Sequence, residues 1–347
     1  MKHIQTFLFA VLFGCLGQSS FAQLKPIWQL KIDSLIKSEG KSPTGFNGVV
    51  LVAHKDAILY ANTNGMANFE QQTKFTKTTQ FVIGSLSKQI TAVLILQEVD
   101  KHRLKLDAPI KTYLPELTQP WAKVVTTHQL LNHTSGIVAL DTALATPAGT
   151  TFAYSGLGYA LLGRIIASVS GKSYSSQVTA LFKRCGMLHS TDPSLKNMPD
   201  LSKAYIREKD GTIREEIKTF ETTYIPAGSL ISCIGDLQQW NKLLHGGKLL
   251  SKISYQKMTT ASSKRNHPIW GNVGYGYGIQ LDKNDGLLEF GHSGYSSGFV
   301  SINFYYPASQ TSVIVLENFD RLDDDFKKTF SYEEFIRDVY RKSLLRR

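Results

Sequence analysis

The sequence predicts an α/β protein of the α+β type, in which helices flank one antiparallel sheet and a mostly helical region is inserted between the strands. Segments with strand character lie near both ends of the chain, at residues 49–61 and again after residue 274. Between about residues 96 and 250 most segments have helical character, and loops containing Gly and Pro separate them. Strands contributed by both ends of a chain, with helices grouped between them, favour a single sheet covered by helices.

Composition excludes several classes of protein. The 347 residues are 42% apolar, 11% aromatic and only 19% charged, unlike a disordered chain. The 27 Gly and 11 Pro residues exclude a collagen-like chain, and three Cys residues exclude a disulfide scaffold or a four-cysteine zinc site. The 39 Lys and Arg residues exceed the 28 Asp and Glu residues and give a net charge of +11. That excess leaves nucleic acid, a membrane surface or no specific partner open.

The first 22 residues have the three parts of a secretory signal peptide. Lys2 precedes an apolar run over residues 7–13, and small residues fit a cut after Ala22. The run is shorter than the roughly 20 residues of a membrane span. We therefore expect an exported, periplasmic or secreted protein, with no transmembrane span in the mature chain of residues 23–347. The alternative is a lipoprotein anchored through Cys15, although the bulky residue two positions before that cysteine fits poorly.

Turn residues divide the mature chain into segments. Near the N-terminus we expect a helix around residues 28–36, a hairpin with strands at 49–53 and 58–61, and a helix from Lys88 to Val99. The remaining predicted helices are at residues 127–132, 158–168, 175–182, 236–244 and 332–345, and the remaining strands at 278–281, 287–290, 299–306 and 312–316. The predicted sheet subdomain comprises about residues 23–95 and 250–347, and the helical region about residues 96–250.

No motif for a metal or a phosphate-containing cofactor is present, and we expect no cofactor. The nine His residues include no H-x-H or H-E-x-x-H pattern, and His128 and His133 are spaced off a common helical face. A Gly-rich P-loop is also missing from the sequence. Cys185 and Cys233 remain after signal cleavage, and the sequence leaves open whether they pair.

A G-x-S-x-G pattern at residues 294–298 is one candidate for a serine nucleophile, but its context is wrong. Such a serine needs a strand-to-helix turn and a histidine later in the chain. Here residues 299–304 have strand character, and the last histidine, His292, precedes the serine. We interpret the pattern as a turn.

The better candidate is the S-x-x-K pattern of Ser85 and Lys88. Ser85 follows an extended segment and a glycine and opens a long apolar helix, so that Lys88 lies one turn later on the same face. The free N–H groups of a helix N-terminus are suited to hold a developing oxyanion. A buried lysine that is neutral can accept the serine proton. The pattern alone is weak, because it also occurs at Ser34, Ser38 and Ser254.

Further segments resemble the serine β-lactamase-related hydrolases, which comprise class C β-lactamases, D-Ala-D-Ala carboxypeptidases and related esterases. The resemblance covers nearly the whole mature chain. The matching segments are residues 81–89 (FVIGSLSKQ), 106–109 (LDAP), 113–115 (YLP), 130–136 (LLNHTSG), 154–163 (YSGLGYALLG) and 291–294 (GHSG). The resemblance implies a β-lactamase/DD-peptidase-like fold and the activity of a serine hydrolase related to penicillin-binding proteins.

The resemblance also implies a role for each matching residue. Ser85 would form the acyl-enzyme, Lys88 would keep the serine in a reactive proton state, and Tyr154 would shuttle the proton; which of the last two is the base stays open. His292 would be the fourth catalytic residue and would face Ser85 from an edge strand. Backbone N–H groups of Ser85 and Tyr295 would form the oxyanion hole. The expected substrate-binding residues are Gly156, Ser293, Gly294 and Tyr295. We expect a structural role for His133.

Two departures from the family pattern bear on the substrate. The family's second motif begins here at Tyr154, and Gly156 stands where that motif usually has Asn, so an amide anchor for peptide and β-lactam side chains is missing. The third motif is residues 291–294; His292 replaces its usual lysine, and a neutral imidazole binds a carboxylate less well than an ammonium group does. We therefore expect an esterase or small-amide hydrolase. The alternatives are a D-Ala-D-Ala carboxypeptidase, another D-peptidase or a weak β-lactamase and, from a different class, an inactive peptidoglycan- or β-lactam-binding protein.

The positive charge does not indicate nucleic acid once export and the serine motifs are considered. A small ester or amide, or a cell-wall peptide, is the expected partner, and the oligomeric state stays open. Part of the excess falls within the last eleven residues, at Arg337, Arg341, Lys342, Arg346 and Arg347. On a terminal helix these cations predict a solvated face at the favourable end of the helix dipole. A weak attraction to anionic envelope polymers or to the membrane is a secondary hypothesis.

Overall fold

The structure is a computed structural model that describes residues 25–39, 45–195, 198, 200–321 and 325–346. The predicted signal peptide, the alternative lipid attachment at Cys15 and the cation Arg347 lie outside the described residues. Within the described part of the chain, no helix has the length and apolar character needed to cross a lipid bilayer.

The described residues form strands and helices in both halves of the chain. The strands are β1 (Gly48–His54), β2 (Ala57–Asn64), β3 (Met66–Asn68), β4 (Thr73–Lys74), β5 (Phe81–Val82), β6 (Ala204–Arg207), β7 (Ile213–Glu216), β8 (Ile231–Ser232), β9 (Ser263–His267), β10 (Gly271–Tyr275), β11 (Gln280–Asp282), β12 (Glu289–Ser296), β13 (Phe299–Tyr306), β14 (Thr311–Glu317) and β15 (Phe319–Asp320). The α-helices are α1 (Ile27–Glu39), α2 (Ser87–Asp100), α3 (Thr127–Leu131), α4 (Gly156–Ser170), α5 (Tyr174–Cys185), α6 (Ile225–Gly228), α7 (Ile234–His245), α8 (Lys252–Met258), α9 (Phe326–Thr329) and α10 (Ser331–Leu345). Short 3₁₀ turns lie at Gly84–Leu86, Ile110–Thr112, Pro120–Lys123 and Thr222–Tyr224.

The largest sheet of the described residues has eight antiparallel strands in the order β2-β1-β14-β13-β12-β11-β10-β9. The N-terminal hairpin joins the C-terminal strands because β1 pairs with β14, from Gly48 opposite Glu317 to His54 opposite Thr311. This arrangement confirms the predicted fold class, an antiparallel sheet built from both ends of the chain and flanked by helices.

Both faces of this sheet are buried. On one face, Val50 and Val52 of β1 pack in a cluster with the terminal helices α1 and α10. On the other face, Val49 and Leu51 belong to a cluster with residues of α2 and α4. Successive residues of a strand point to opposite faces. A strand between two helical layers is therefore marked by an unbroken apolar run rather than by alternation.

Several β elements differ from the sequence prediction. β9 and β10 form the outer hairpin of the sheet, but β9 has the polar sequence SKRNH and no apolar alternation that would reveal it. β6 and β7 form a small sheet with β15 amid the helices. β12 continues to Ser296 through the G-x-S-x-G pattern, and the turn consists of Ser297 and Gly298. The interpretation of the whole pattern as a turn is therefore wrong.

The prediction that the C-terminal cations form a solvated face is also wrong for two of them. Arg337 is 6% exposed and pairs with Glu289 and Asp282. Arg341 is 4% exposed and pairs with Glu289 and Asp285. These guanidinium groups lie between α10 and the sheet, where acidic residues of β11 and β12 and of the loop between them compensate their charge. Much of the terminal charge is thus internal and paired.

Cys185 and Cys233 are both buried and both free. Cys185 ends α5, whereas Cys233 caps α7 by accepting a hydrogen bond from the N–H of Asp236 at 3.4 Å. Burial raises the pKa of the Cys233 thiol to about 12. The pairing that the sequence left open is not formed.

Candidate active site

Ser85 lies where α2 begins beside the large sheet. After β5, Gly84 turns the chain with a φ of +53°, a conformation that favours glycine. The 3₁₀ turn at Gly84–Leu86 continues directly into α2. Ser87 fixes this turn, because its hydroxyl group donates to the Gly84 carbonyl at 2.7 Å and accepts from the N–H of Leu230 at 3.1 Å. Ser85 is thereby held, half-buried, at the N-terminus of the helix.

Two side chains contact the Ser85 hydroxyl group. Lys88 Nζ donates to Ser85 Oγ at 3.0 Å, and Tyr154 OH donates to the same oxygen at 2.7 Å. Lys88 is only 2% exposed, and its Nζ also donates to the carbonyl of Ala227 and lies 4.8 Å from the centre of the Tyr154 ring. The structure therefore brings three residues from two distant sequence motifs into one hydrogen-bonded cluster.

Arg265 is a residue of this site that the sequence does not reveal. Its guanidinium carbon lies 4.7 Å from the centre of the Tyr154 ring, a distance at which a cation is attracted to an aromatic face. It comes from β9, whose polar sequence gives no sign of a strand or of a site. Tyr154 thus has two cations, Lys88 and Arg265, next to its ring.

A chain of hydrogen bonds joins the second sequence motif to the third. The N–H of Ser155 donates to His133 Nδ1 at 3.1 Å, and His133 Nε2 bonds to Tyr275 OH at 3.2 Å. Tyr275 OH also bonds to His292 Nε2 at 3.0 Å. His292 Nδ1 in turn bonds to the carbonyl of Ser293 at 2.6 Å. The loop that carries Tyr154 is therefore tied to β12 through two imidazoles and a phenol.

The two ends of this chain determine the proton positions. The Ser293 carbonyl only accepts, so His292 carries its proton on Nδ1 and accepts from the Tyr275 hydroxyl group. The Ser155 N–H only donates, so His133 carries its proton on Nε2. One arrangement with both imidazoles neutral therefore satisfies every bond. Burial lowers the pKa of both histidines well below the ordinary value, and neighbouring cations add to that effect.

His292 lines the same cavity as Ser85, and its ring centre lies 6.2 Å from that of Tyr154. β12, which carries His292, lies inside the eight-stranded sheet and not at its edge. Its ladder with β11 nevertheless ends with Gly291 opposite Gln280. From His292 onwards β12 has no pairing with β11, and His292, Ser293 and Tyr295 line the cavity. The expected edge position therefore applies to this part of β12 and not to the whole strand.

Two backbone segments approach each other closely at the start of α2. A side-chain carbon at Gly84 would meet the backbone N of Tyr295 at 2.5 Å and the carbonyl carbon of Gly294 at 2.7 Å. Ser301 of β13 joins the same segments, since its hydroxyl group lies 3.0 Å from the Ile83 carbonyl oxygen and 3.4 Å from that of Gly294. The N–H of Tyr295 is thereby brought next to the turn that carries the serine. Nothing in the sequence indicates that Ser301 connects these two segments.

A cavity of about 360 Å³ opens over Ser85 and is lined by Tyr154, Ser293 and Tyr295, among others. Gly156 lies beside this cavity instead of lining it. A side-chain carbon at Gly156 would lie 3.6 Å from the ring of Tyr224 and 4.0 Å from Ala227 Cβ, which is ordinary van der Waals contact. The position therefore has room for a Cβ atom, close to Ala227, whose carbonyl holds Lys88.

The other candidates from the sequence lie apart from this cluster. Ser296 of the G-x-S-x-G pattern accepts a hydrogen bond from Lys218 Nζ at 2.9 Å. His128 bonds through Nδ1 to Tyr277 OH at 2.7 Å. In the described ranges, no group of three or more His, Cys, Asp or Glu side chains is placed to hold a metal ion.

Substitution of Tyr275 tests whether the imidazole chain fixes the site. Tyr275→Phe leaves His133 Nε2–H and His292 Nε2 buried without their partner, at a cost of about 1–3 kcal/mol for each unsatisfied group. We expect the free energy of unfolding in urea to fall by that order. Tyr305→Phe is the matched control, because Tyr305 is half-buried and takes no part in this series of hydrogen bonds. It should lower the free energy of unfolding by less than about 0.5 kcal/mol. Equal losses in the two variants would contradict the proposed network.

Comparison with known sequences identifies the family. The family described as Beta-lactamase matches residues 32–335. The chain is 27% identical to penicillin-binding protein 4 of Amycolatopsis lactamdurans over 327 residues, which cover 84% of each chain. It is also 27% identical to the putative penicillin-binding protein PbpX of Bacillus subtilis over 294 residues, which cover 79% of this chain and 71% of that one.

Solved structures share the fold. The octameric penicillin-binding protein homologue of Pyrococcus abyssi has a TM-score of 0.73 at 28% identity, over 83% of this chain and 73% of that chain. The D-amino acid amidase of Ochrobactrum anthropi, complexed with L-phenylalanine amide, has a TM-score of 0.77 at 20% identity, over 91% and 99% of the two chains. With its fold, its motifs and its match over most of the sequence, this chain belongs to the beta-lactamase family and is a serine hydrolase.

Proposed function

We propose that this protein is exported and hydrolyses esters or small amides through an acyl-enzyme on Ser85. The observation that carries the proposal is the hydrogen-bonded cluster of Ser85, Lys88 and Tyr154, of which Ser85 and Tyr154 line a cavity. Export is inferred from the signal-like first 22 residues. The similarity to penicillin-binding proteins supports a place outside the cytoplasm, where cell-wall substrates occur.

In the acylation step, Ser85 Oγ attacks the carbonyl carbon of the substrate while its proton passes to Tyr154 or Lys88. Both groups lie within hydrogen-bond distance, and either accepts the proton when it is in its neutral lysine or phenolate form. The N–H groups of Ser85 and Tyr295 stabilise the oxyanion. The bond to the leaving group then breaks, and the proton passes to the leaving oxygen or nitrogen, directly from Tyr154 or from Lys88 through Tyr154.

In the deacylation step, water attacks the carbonyl carbon of the acyl-enzyme. The water proton takes the same route through Tyr154 and Lys88 and returns to Ser85 Oγ as the acid is released. His292 takes no proton in this scheme, because its two nitrogens serve Tyr275 and the Ser293 carbonyl. It is a positioning residue that holds the third motif against the cluster.

Two features of the site support the ester preference. Gly156, which lies beside the cavity, provides no amide to hold the acylamide side chain of a peptide or β-lactam. His292 is neutral and replaces a cation of the usual third motif. The second candidate is hydrolysis of D-amino-acid amides or peptides, which the D-amino acid amidase among the fold neighbours favours. An inactive binding protein is disfavoured by the intact serine cluster.

A fluorophosphonate probe tests the nucleophile. Because Ser85 Oγ lies at hydrogen-bond distance from Lys88 and Tyr154, we expect the purified protein to be labelled on the peptide that contains Ser85. Ser85→Ala should lose the label, whereas the matched control Ser296→Ala should keep it. Absence of labelling in the folded wild type, or labelling that survives Ser85→Ala, would overturn the serine-hydrolase mechanism at this position.

A substrate panel tests the ester preference. We expect kcat/KM for p-nitrophenyl acetate or butyrate to exceed that for nitrocefin and for a D-Ala-D-Ala peptide. The Cβ atom of Gly156→Asn meets only ordinary van der Waals contacts, and the variant should raise nitrocefin or peptide hydrolysis relative to the ester on the order of tenfold. Gly156→Ala supplies the carbon without the amide and should not. Nitrocefin turnover above the esters in the wild type would contradict the preference, and equal effects of Asn and Ala would contradict the role given to position 156.

A further inference from the structure

The turn that follows Tyr295 packs against the small sheet β15-β6-β7. β12 ends at Ser296, and Ser297 and Gly298 form the turn to β13. At Gly298, whose φ is +79°, a side-chain carbon would lie only 2.6 Å from Cβ of Ala204 in β6. Tyr295 carries an N–H group that is proposed to hold the oxyanion, so the contacts that place this turn bear on the reaction.

Lys218 connects the end of β12 to this turn. Its Nζ donates to Ser296 Oγ at 2.9 Å and to the carbonyl of Ser297 at 2.8 Å. Lys218 follows β7 by two residues and is half-buried, whereas its neighbour Ile217 is 82% exposed. The extended chain after β7 therefore directs the lysine inward, where one ammonium group holds two successive residues.

Two carboxylates of the small sheet hold the same segment. Ser297 Oγ donates to Glu216 Oε1 at 3.0 Å, and Tyr295 OH donates to Asp320 Oδ2 at 2.6 Å. Burial lowers the pKa of the Lys218 ammonium group, and the charges of Glu216 and Asp320 oppose that effect. The turn is thus held by one cation and two anions, and each strand of the small sheet contacts it.

Lys218 lies outside the cavity over Ser85. The described residues that line this cavity include Tyr295 but do not include Lys218. The backbone N of Tyr295 packs against Gly84, whereas the acceptors of Lys218 belong to the two residues that follow Tyr295. An oxyanion-hole donor stabilises the transition state only when its distance and direction are correct. A small shift of this turn therefore changes the rate although Lys218 touches no substrate.

We propose that Lys218 is a positioning residue for the oxyanion hole, because it holds the turn after β12 so that the N–H of Tyr295 stays directed at the carbonyl oxygen of the substrate. The inference rests on the proposed reaction at Ser85. It also gives the G-x-S-x-G pattern a role, in which Ser296 is an acceptor for Lys218 and not a nucleophile.

The test compares p-nitrophenyl butyrate with its thionoester, in which sulfur replaces the carbonyl oxygen and the leaving group is the same. Sulfur is a weak hydrogen-bond acceptor, so a correctly placed oxyanion hole favours the oxygen ester. Lys218→Met removes the ammonium group and keeps an unbranched side chain. The ratio of kcat/KM for the oxygen ester to that for the thionoester should fall roughly tenfold, since a misplaced donor loses much of its effect. Lys218→Arg keeps the charge and the donors and should retain most of the ratio.

Lys203→Met is the matched control, because Lys203 immediately precedes β6 of the same small sheet and pairs with Glu215 instead of the turn. Its ratio should stay within about twofold of the wild type, as expected for the loss of an exposed ion pair.

Three outcomes separate the inference from the reaction on which it rests. An unchanged ratio in Lys218→Met, including equal slowing of both esters, means that the lysine does not place the donor, and the inference is wrong. A ratio in Lys218→Arg as low as in Lys218→Met also overturns it. If Lys218→Met does not fold, Lys218→Gln, with its shorter side chain, takes its place with the same expected fall. Hydrolysis that survives Ser85→Ala refutes the underlying reaction and the inference with it.

Discussion

The close backbone contact between Gly84 and the end of β12 is the constraint on which the site depends. Gly84 adopts a positive φ and leaves no room for a side chain between itself and the backbone of Gly294 and Tyr295. The same contact sets the start of α2 against the sheet and presents Ser85 to the cavity. The hydroxyl group of Ser301 contacts the carbonyl oxygens of both segments, at Ile83 and Gly294. Ser85, the proposed nucleophile, and the N–H groups proposed to hold the oxyanion are therefore fixed by one junction of helix and strand.

Tyr154 connects that junction to the helical side of the cavity. Its hydroxyl group reaches Ser85, and its ring lies next to Lys88 and Arg265. The neutral imidazole chain holds the adjoining loop in place without adding charge. The positive charge of the site is thus concentrated around one phenol and one serine, which suits a reaction in which a proton leaves the serine and an oxyanion develops beside it. The other buried arginines, by contrast, are neutralised by carboxylates and stabilise the packing of α10 on the sheet.

The sequence predicts the sheet, the first hairpin and the start of α2 because each rests on a local pattern, such as the apolar run of β1 or the glycine before Ser85. The sequence motifs identify Ser85, Lys88 and Tyr154, and the structure adds the distances among them. The remaining features depend on contacts between distant residues. β9 lacks apolar alternation, so neither the strand nor Arg265 has a local signature. Tyr275 and Ser301 gain importance only from partners that the fold brings to them. The burial of Arg337 has no signal in the sequence of its own helix, because its acidic partners on β11 and β12 determine its environment.

The central claim is that Ser85 carries the acyl group during turnover. Rapid acid quenching of the enzyme during hydrolysis of p-nitrophenyl butyrate, followed by intact-mass measurement and peptide mapping, tests it most directly. The account predicts a mass increase equal to one butyryl group, confined to the peptide that contains Ser85 and absent from Ser85→Ala. Deacylation that is faster than acylation hides this species, so the same measurement is made with a slowly deacylated penicillin. Turnover with an adduct on another residue, or with none on Ser85 for either compound, would contradict the account.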